Sequence, residues 1–202
     1  MKLIHPFSCI VAGPSGSGKS VFTVKLIEQA SEIIEPPPEH VQWCYGVFQN
    51  FFHEIRGVEF QQGLPLVQTF DGKRRTLLVI DDLMQEADKT VSSIFTRDSH
   101  HRNISVIFLS QNLFYDSKEN RTMTLNSNYL VLFKNPRDQT VVRSLSMQMY
   151  PGRSKFLVDA YKDATSKPFS YLLIDLRPDT EDRLRIRSNI FPDETTFVYV
   201  PK

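Results

Sequence analysis

Gly13, Pro14, Ser15, Gly16, Ser17, Gly18, Lys19 and Ser20 form an unbroken run that fits the pattern G-x-x-x-x-G-K-[ST]. Glycines in such a run let backbone N–H groups turn inward around an anion, and the positive N-terminus of a following helix adds its field to theirs. The chemistry implied is capture of a nucleoside triphosphate. Lys19 would reach the β- and γ-phosphates, and the Ser20 hydroxyl would ligate Mg²⁺. A glycine turn without a nucleotide is the bland alternative, but a strand before the run and a helix after it are the context that phosphate binding requires.

A second group of residues fits the same chemistry. Thr76 to Ile80 is an apolar run that ends in Asp81 and Asp82. A buried strand there would deliver acids to its C-terminal end, where ligands of open α/β sheets gather. Asp81 would hold Mg²⁺ through water, and Asp82 would orient or polarise an attacking water, with Glu86 in reserve as base. Helix capping is the plain alternative for either aspartate. Gln111 closes the run Ser105 to Ser110, so its amide could touch both the γ-phosphate and the water; a polar residue that merely ends a strand is the alternative.

Arg102, with Arg97 second, lies in the polar run Arg97 to Asn103 and could reach a neighbouring subunit's γ-phosphate. Cations are also favoured at helix C-termini, which explains the same residues without a partner. His100 and His101 would point about 100° apart on a helix, a poor arrangement for one metal ion. Lys73 to Arg75 and the alternating Arg183, Arg185 and Arg187 are candidate polyanion contacts or simply solvated faces.

These groups need a scaffold to hold them together. Phe7 to Ala12 reads as a buried strand, followed by an amphipathic helix carrying Val21, Phe22, Leu26, Ile27 and Ile33 and ending before Pro36 to Pro38. Further strands are expected at Val41 to Tyr45, Thr76 to Ile80, Ile104 to Leu109, Tyr129 to Phe133 and Tyr171 to Leu176. A half-exposed strand is expected over Arg183 to Arg187, and an edge strand over Phe197 to Val200. A short helix could cover Phe48 to Ile55, and others are expected through Val91, Ile94 and Phe95, within Glu119 to Asn126, through Val141 to Met149 and over Ser154 to Thr165. Strands alternating with helices imply an α/β fold, a mostly parallel central sheet flanked by helices on both faces.

The 202 residues, 41% of them hydrophobic, suit a single domain over 1–202, with strands from about 169–202 packing on the core sheet. Net charge is +1 from 24 basic and 23 acidic residues, so any nucleic-acid contact must come from local patches. Cys9 and Cys44 lie in apolar segments and read as buried free thiols of a reducing compartment. No apolar run reaches membrane-spanning length, and a soluble, intracellular chain is expected.

The chain resembles the FtsK–HerA-like packaging ATPases of double-stranded DNA viruses, in particular the short poxvirus-type versions of Polinton/Maverick elements and adintovirus-like agents. The resemblance rests on GPSGSGKS at Gly13 to Ser20, LLVIDDLM at Leu77 to Met84 and SHHRNISVIFLSQNLF at Ser99 to Phe114. It continues through FKNPRDQ at Phe133 to Gln139, MYPG at Met149 to Gly152 and AYKDATSKPFSYLLIDLRPDT at Ala160 to Thr180.

It implies a P-loop NTPase of ASCE type, with an extra strand between the phosphate-loop strand and the acid-bearing strand. It also implies ATP and Mg²⁺ as ligands, and a homo-oligomeric ring that pumps double-stranded DNA into a preformed capsid. By this likeness Lys19 and Ser20 match the Walker A lysine and serine, Asp81 the Mg²⁺-linked acid of Walker B, and Gln111 the polar residue of the sensor strand. Cellular relatives usually carry glutamate as the second acid, whereas this chain has Asp82, whose shorter arm would need a repositioned water.

The expected setting is the host nucleus or cytoplasm, on assembling virions, with contacts to a capsid vertex or capsid proteins. The competing expectations are a HerA/FtsK-like translocase outside packaging, an ATP-gated assembly module without turnover, and a small-molecule kinase.

Overall fold

The computed structural model describes residues 2–81, 83, 88–95, 101–113 and 118–201. In chain order the strands are β1 (Leu3–Ile4), β2 (Ser8–Ala12), β3 (Ile34–Glu35), β4 (His40–Tyr45), β5 (Glu59–Gln62), β6 (Thr76–Asp81), β7 (Ile104–Ser110), β8 (Tyr129–Phe133), β9 (Tyr171–Asp175), β10 (Ile186–Ser188) and β11 (Phe197–Tyr199). The helices are α1 (Lys19–Glu28), α2 (Ala30–Ile33), α3 (Asp88–Ser93), α4 (Lys118–Leu125), α5 (Thr140–Met149) and α6 (Ser154–Ala164).

Among the described residues, nine strands join in one sheet in the order β11-β10-β9-β8-β2-β7-β6-β4-β5. From β5 to β8 all pairings are parallel. From β8 outward to β11 they are antiparallel. Parallel neighbours need crossover connections, and helices provide cover for both faces.

The alternation of side chains along each strand sets up two cores. One face brings Ile10, Leu78, Ile80, Val106 and Phe108 against α3, α5 and α6. The other brings Val11, Leu77, Val79, Ile107 and Leu109 against Phe22 and Leu26 of α1 and Ile33 of α2. The central strands β6 and β7 are buried throughout, which explains why they read as uninterrupted apolar runs rather than alternating ones.

β7 lies between β2 and β6, so the inserted strand implied by the resemblance is present. Three expectations change. The first helix is not continuous to Ile33: α1 stops at Glu28, Gln29 leaves helical geometry, and α2 is a separate turn that leads into β3. Val21, expected on the buried face, is 73% exposed, because α1 needs only Phe22 and Leu26 to cover the sheet.

Arg183 to Arg187 is not one half-exposed strand. Asp182–Leu184 is a 3-10 turn, and the strand begins at Ile186, where pairing with β9 and β11 starts. β1 and β3 were not foreseen as strands; they pair in parallel beside the main sheet. Cys9 and Cys44 are free and buried, and desolvation pushes both thiols well above their ordinary pKa. No helix among the described residues is long and apolar enough to cross a membrane.

Candidate functional site

The loop from Gly13 to Gly18 leaves the C-terminal end of β2 and enters α1 at Lys19. Gly13 N–H donates to the Ser110 carbonyl at 3.1 Å, which ties the start of the loop to the end of β7. Ser17 N–H donates to the Pro14 carbonyl at 3.2 Å, closing a turn inside the loop. Gly16 and Gly18 have φ of +75° and +107°, a region costly for residues with a Cβ. Gly13 is required for another reason: a Cβ there would meet Phe133 Cβ and Ser17 Oγ at 2.7 Å.

Lys19 donates from Nζ to the Gly13 carbonyl at 2.6 Å and the Pro14 carbonyl at 3.1 Å, so its ammonium already lies over the loop. Thr23 Oγ1 donates back to the Lys19 carbonyl at 3.0 Å within α1. An aromatic group supports the helix from the sheet side: Phe22 packs edge-on against Tyr171 and Phe191, with ring centroids at 4.7 and 5.3 Å.

Sheet register brings the acid strand level with this loop. Ala12 pairs with Ser110, and Asp81 pairs with Leu109 one residue below on the same strand. With β7 between them, the two strand ends are about 10 Å apart at the ordinary interstrand spacing. Asp81 is 7% exposed, accepts from Gln49 Nε2 at 3.4 Å through Oδ2, and its backbone carbonyl accepts from Gly46 N–H at 3.3 Å. Gln111 follows β7 immediately, is exposed, and shares a small cleft with Gly13, Asn135 and Asp138.

The residues fit a magnesium-bound triphosphate. Ser20 and Asp81 offer hard oxygen donors of the kind Mg²⁺ prefers. Ser17 Oγ is buried and has no hydrogen-bond partner among the described residues, a polar atom inside the loop that a ligand oxygen could satisfy.

The structure therefore brings Gly13 to Ser20, Asp81 and Gln111 to one end of the sheet. It does not bring Arg102 there. Arg102 precedes β7, at the opposite end of a strand that spans about 20 Å, and its Nη1 donates to the Phe70 carbonyl at 2.7 Å. Asp82, Glu86, Arg97 and His100 lie outside the described residues.

The basic runs are partly engaged within the chain. Arg75 donates to the Pro37 carbonyl and pairs with Glu39 at 3.0 Å. Arg185 pairs with Asp182 at 2.7 Å and donates to the carbonyls of Asp175 and Arg177. Arg187 is 7% exposed and lies 3.9 Å from Asp175, so a polyanion-contact role for Arg185 and Arg187 conflicts with their structural use.

Gln49, which donates to Asp81, and Lys134, which lines a pocket with residues 14–17 of the loop, are positions that sequence reasoning missed. Lys134 directly follows β8, the other neighbour of β2, so strand order would have pointed to it. Nothing in the sequence marks Gln49, which sits in an irregular segment after β4.

No family model and no curated protein matches the chain. Solved structures do. The chain is similar to B204, the DNA-packaging ATPase from Sulfolobus Turreted Icosahedral Virus, with a TM-score of 0.60 at 10% identity, covering 98% of this chain and 99% of that one. The genome packaging NTPase B204 from Sulfolobus turreted icosahedral virus 2, in complex with sulfate, gives a TM-score of 0.57 at 12% identity over 99% and 98% of the two chains.

The pCW3 conjugation coupling protein TcpA, in its monomer form with ATPγS, gives a TM-score of 0.51 at 15% identity, over 87% of this chain and 59% of TcpA. At such identities the likeness is one of fold: a large central α/β sheet flanked by helices, shared with these ATPases.

Proposed function

We propose that this protein is an ATP-hydrolysing translocase of double-stranded DNA that packages viral or virus-like genomes, acting as a homo-oligomeric ring at a capsid vertex inside the host cell. The observation that carries the reading is the convergence of the Gly13–Ser20 loop, Asp81 and Gln111 on one end of the sheet, on three adjacent strands. The likeness in fold to the two B204 structures and to TcpA supports it.

The loop's backbone N–H groups and Lys19 would bind the phosphates, and Ser20 and Asp81 would hold Mg²⁺. When bound, the ion would supply charge neutralisation for the phosphates. Asp82, next along the chain from Asp81, would accept a proton from the attacking water, and Gln111 would orient that water against the γ-phosphate. Arg102, placed far from its own loop, would act only on the site of a neighbouring subunit.

Phosphate release is the decisive measurement. DNA-stimulated release that disappears in Lys19→Ala and Asp82→Asn is expected. Transfer of phosphate to a small acceptor would make the protein a kinase, and tight ATP binding without turnover at any DNA concentration would make it a gated assembly module. Arg102→Ala subunits mixed with Asp82→Asn subunits should recover part of the activity; no recovery in any mixture removes Arg102 from the site.

A further inference from the structure

The turn beside the phosphate loop carries an aromatic residue in an unfavourable backbone state. Ser170 N–H donates to the Lys167 carbonyl at 3.4 Å, and Ser170 Oγ donates to the same oxygen at 2.7 Å. Pro168 in the second position and φ of +63° at Phe169 in the third give the pattern of a type II turn, where glycine or asparagine is favoured at the third residue. A bulky side chain there brings its Cβ against the following carbonyl oxygen.

Burial does not compensate for this choice, because Phe169 is 69% exposed. Neither turn geometry nor core packing accounts for a phenylalanine here. Such outliers persist where function holds them.

Its location is specific. A Cβ built on Gly18 would meet Phe169 Cβ at 3.3 Å, so the residue lies against the entry to α1. Phe169 lines an open pocket of about 320 Å³ together with residues 14–17 of the phosphate loop and with Lys134 and Lys167. The backbone at Lys134 is fixed: the Tyr161 hydroxyl accepts from Asn135 N–H and donates to the Phe133 carbonyl, both at 2.9 Å.

An exposed ring beside a polyphosphate cradle and two cations matches a ligand that is flat at one end and anionic at the other. We propose that Phe169 is the stacking platform for the nucleobase of the triphosphate held at Gly13 to Ser20, an assignment that rests on the nucleotide-site reading above. Stacking on a ring tolerates different bases because every base has a π-face.

Calorimetric titration of the full chain with the magnesium complexes of ATP, GTP and inorganic tripolyphosphate tests the assignment. Phe169→Gly suits the turn's backbone and removes the ring. It should weaken ATP and GTP alike by about tenfold, leave tripolyphosphate affinity unchanged and cause no loss of thermal stability. Phe169→Trp should retain or tighten nucleotide binding. Unchanged ATP affinity in Phe169→Gly overturns the proposal, as does a parallel loss of ATP and tripolyphosphate, which would mean that the turn only shapes the cradle. If the wild-type chain binds neither ATP nor tripolyphosphate, or if Lys19→Ala binds both undiminished, the nucleotide-site reading itself fails and the platform falls with it.

Discussion

Gln49 donates its side-chain amide to the Asp81 carboxylate, Nε2 to Oδ2 at 3.4 Å, from the segment that follows β4. The acid of one strand is therefore oriented by a residue reached through its neighbour. Gln49→Ala should leave the fold intact and raise the Mg²⁺ concentration for half-maximal ATP hydrolysis by about two- to tenfold, the worth of one hydrogen bond. A Mg²⁺ titration of phosphate release checks this, and an unchanged midpoint removes Gln49 from the site.

Gly13→Ala tests the loop's closest approach. The new methyl group would stand 2.7 Å from Phe133 Cβ and Ser17 Oγ, and the former belongs to a strand that cannot move aside cheaply. The expected result is a loss of about 1–3 kcal/mol of stability together with loss of nucleotide binding. Chemical denaturation and ATP titration of the same variant measure both.

Arg187 and Asp175 form a buried pair at 3.9 Å, with side chains 8% and 5% exposed. Burial pulls the Arg187 pKa down, and the Asp175 charge pulls it back up. Removing one partner strands the other, so Arg187→Ala should cost about 3–5 kcal/mol, while Asp175→Leu with Arg187→Met should recover much of the loss. A set of urea unfolding curves would show it. A DNA-contact role instead predicts full stability in Arg187→Ala and a shallower salt dependence of DNA binding.

His5 sets a pH dependence. It is buried, with Nδ1 2.5 Å from Ser105 Oγ and Nε2 2.9 Å from Asn103 Oδ1. Desolvation lowers its pKa below the ordinary 6.5, the Asn103 hydrogen bond opposes this, Arg75 adds to the lowering and Glu39 to the raising. The unfolded chain thus takes up a proton before the folded one does. Stability should be constant above about pH 6.5 and fall as pH drops below it, until the folded pKa is reached. Unfolding midpoints from pH 8 to pH 5 should show this slope in the wild type and a smaller one in His5→Gln.

The parallel heart of the fold was legible in the sequence because β2, β6, β7 and β8 are buried on both faces and read as apolar runs bounded by polar loops. The phosphate loop and Asp81 were legible because their chemistry is local in sequence. Where burial depends on distant partners, the reading failed. Val21 looks like a core residue until the length of α1 on the sheet is known, and Arg185 and Arg187 look like a solvated stripe until Asp175 and Asp182 are placed beside them. Gln49, Lys134 and Phe169 become visible only once the chain is folded, because the spacing of the phosphate loop and of the acid-bearing strand does not point to them.

Lys19, with Nζ donating to the Gly13 and Pro14 carbonyls, would make nucleotide entry an exchange rather than a simple capture. The ammonium would give up neutral oxygens and take charged ones, a gain in Coulomb attraction. A guest with little negative charge has nothing to offer in that trade. On the proposed reading the loop would thereby be guarded against neutral metabolites before any base or sugar is recognised, and added salt should weaken its hold on a triphosphate in proportion to the charge exchanged.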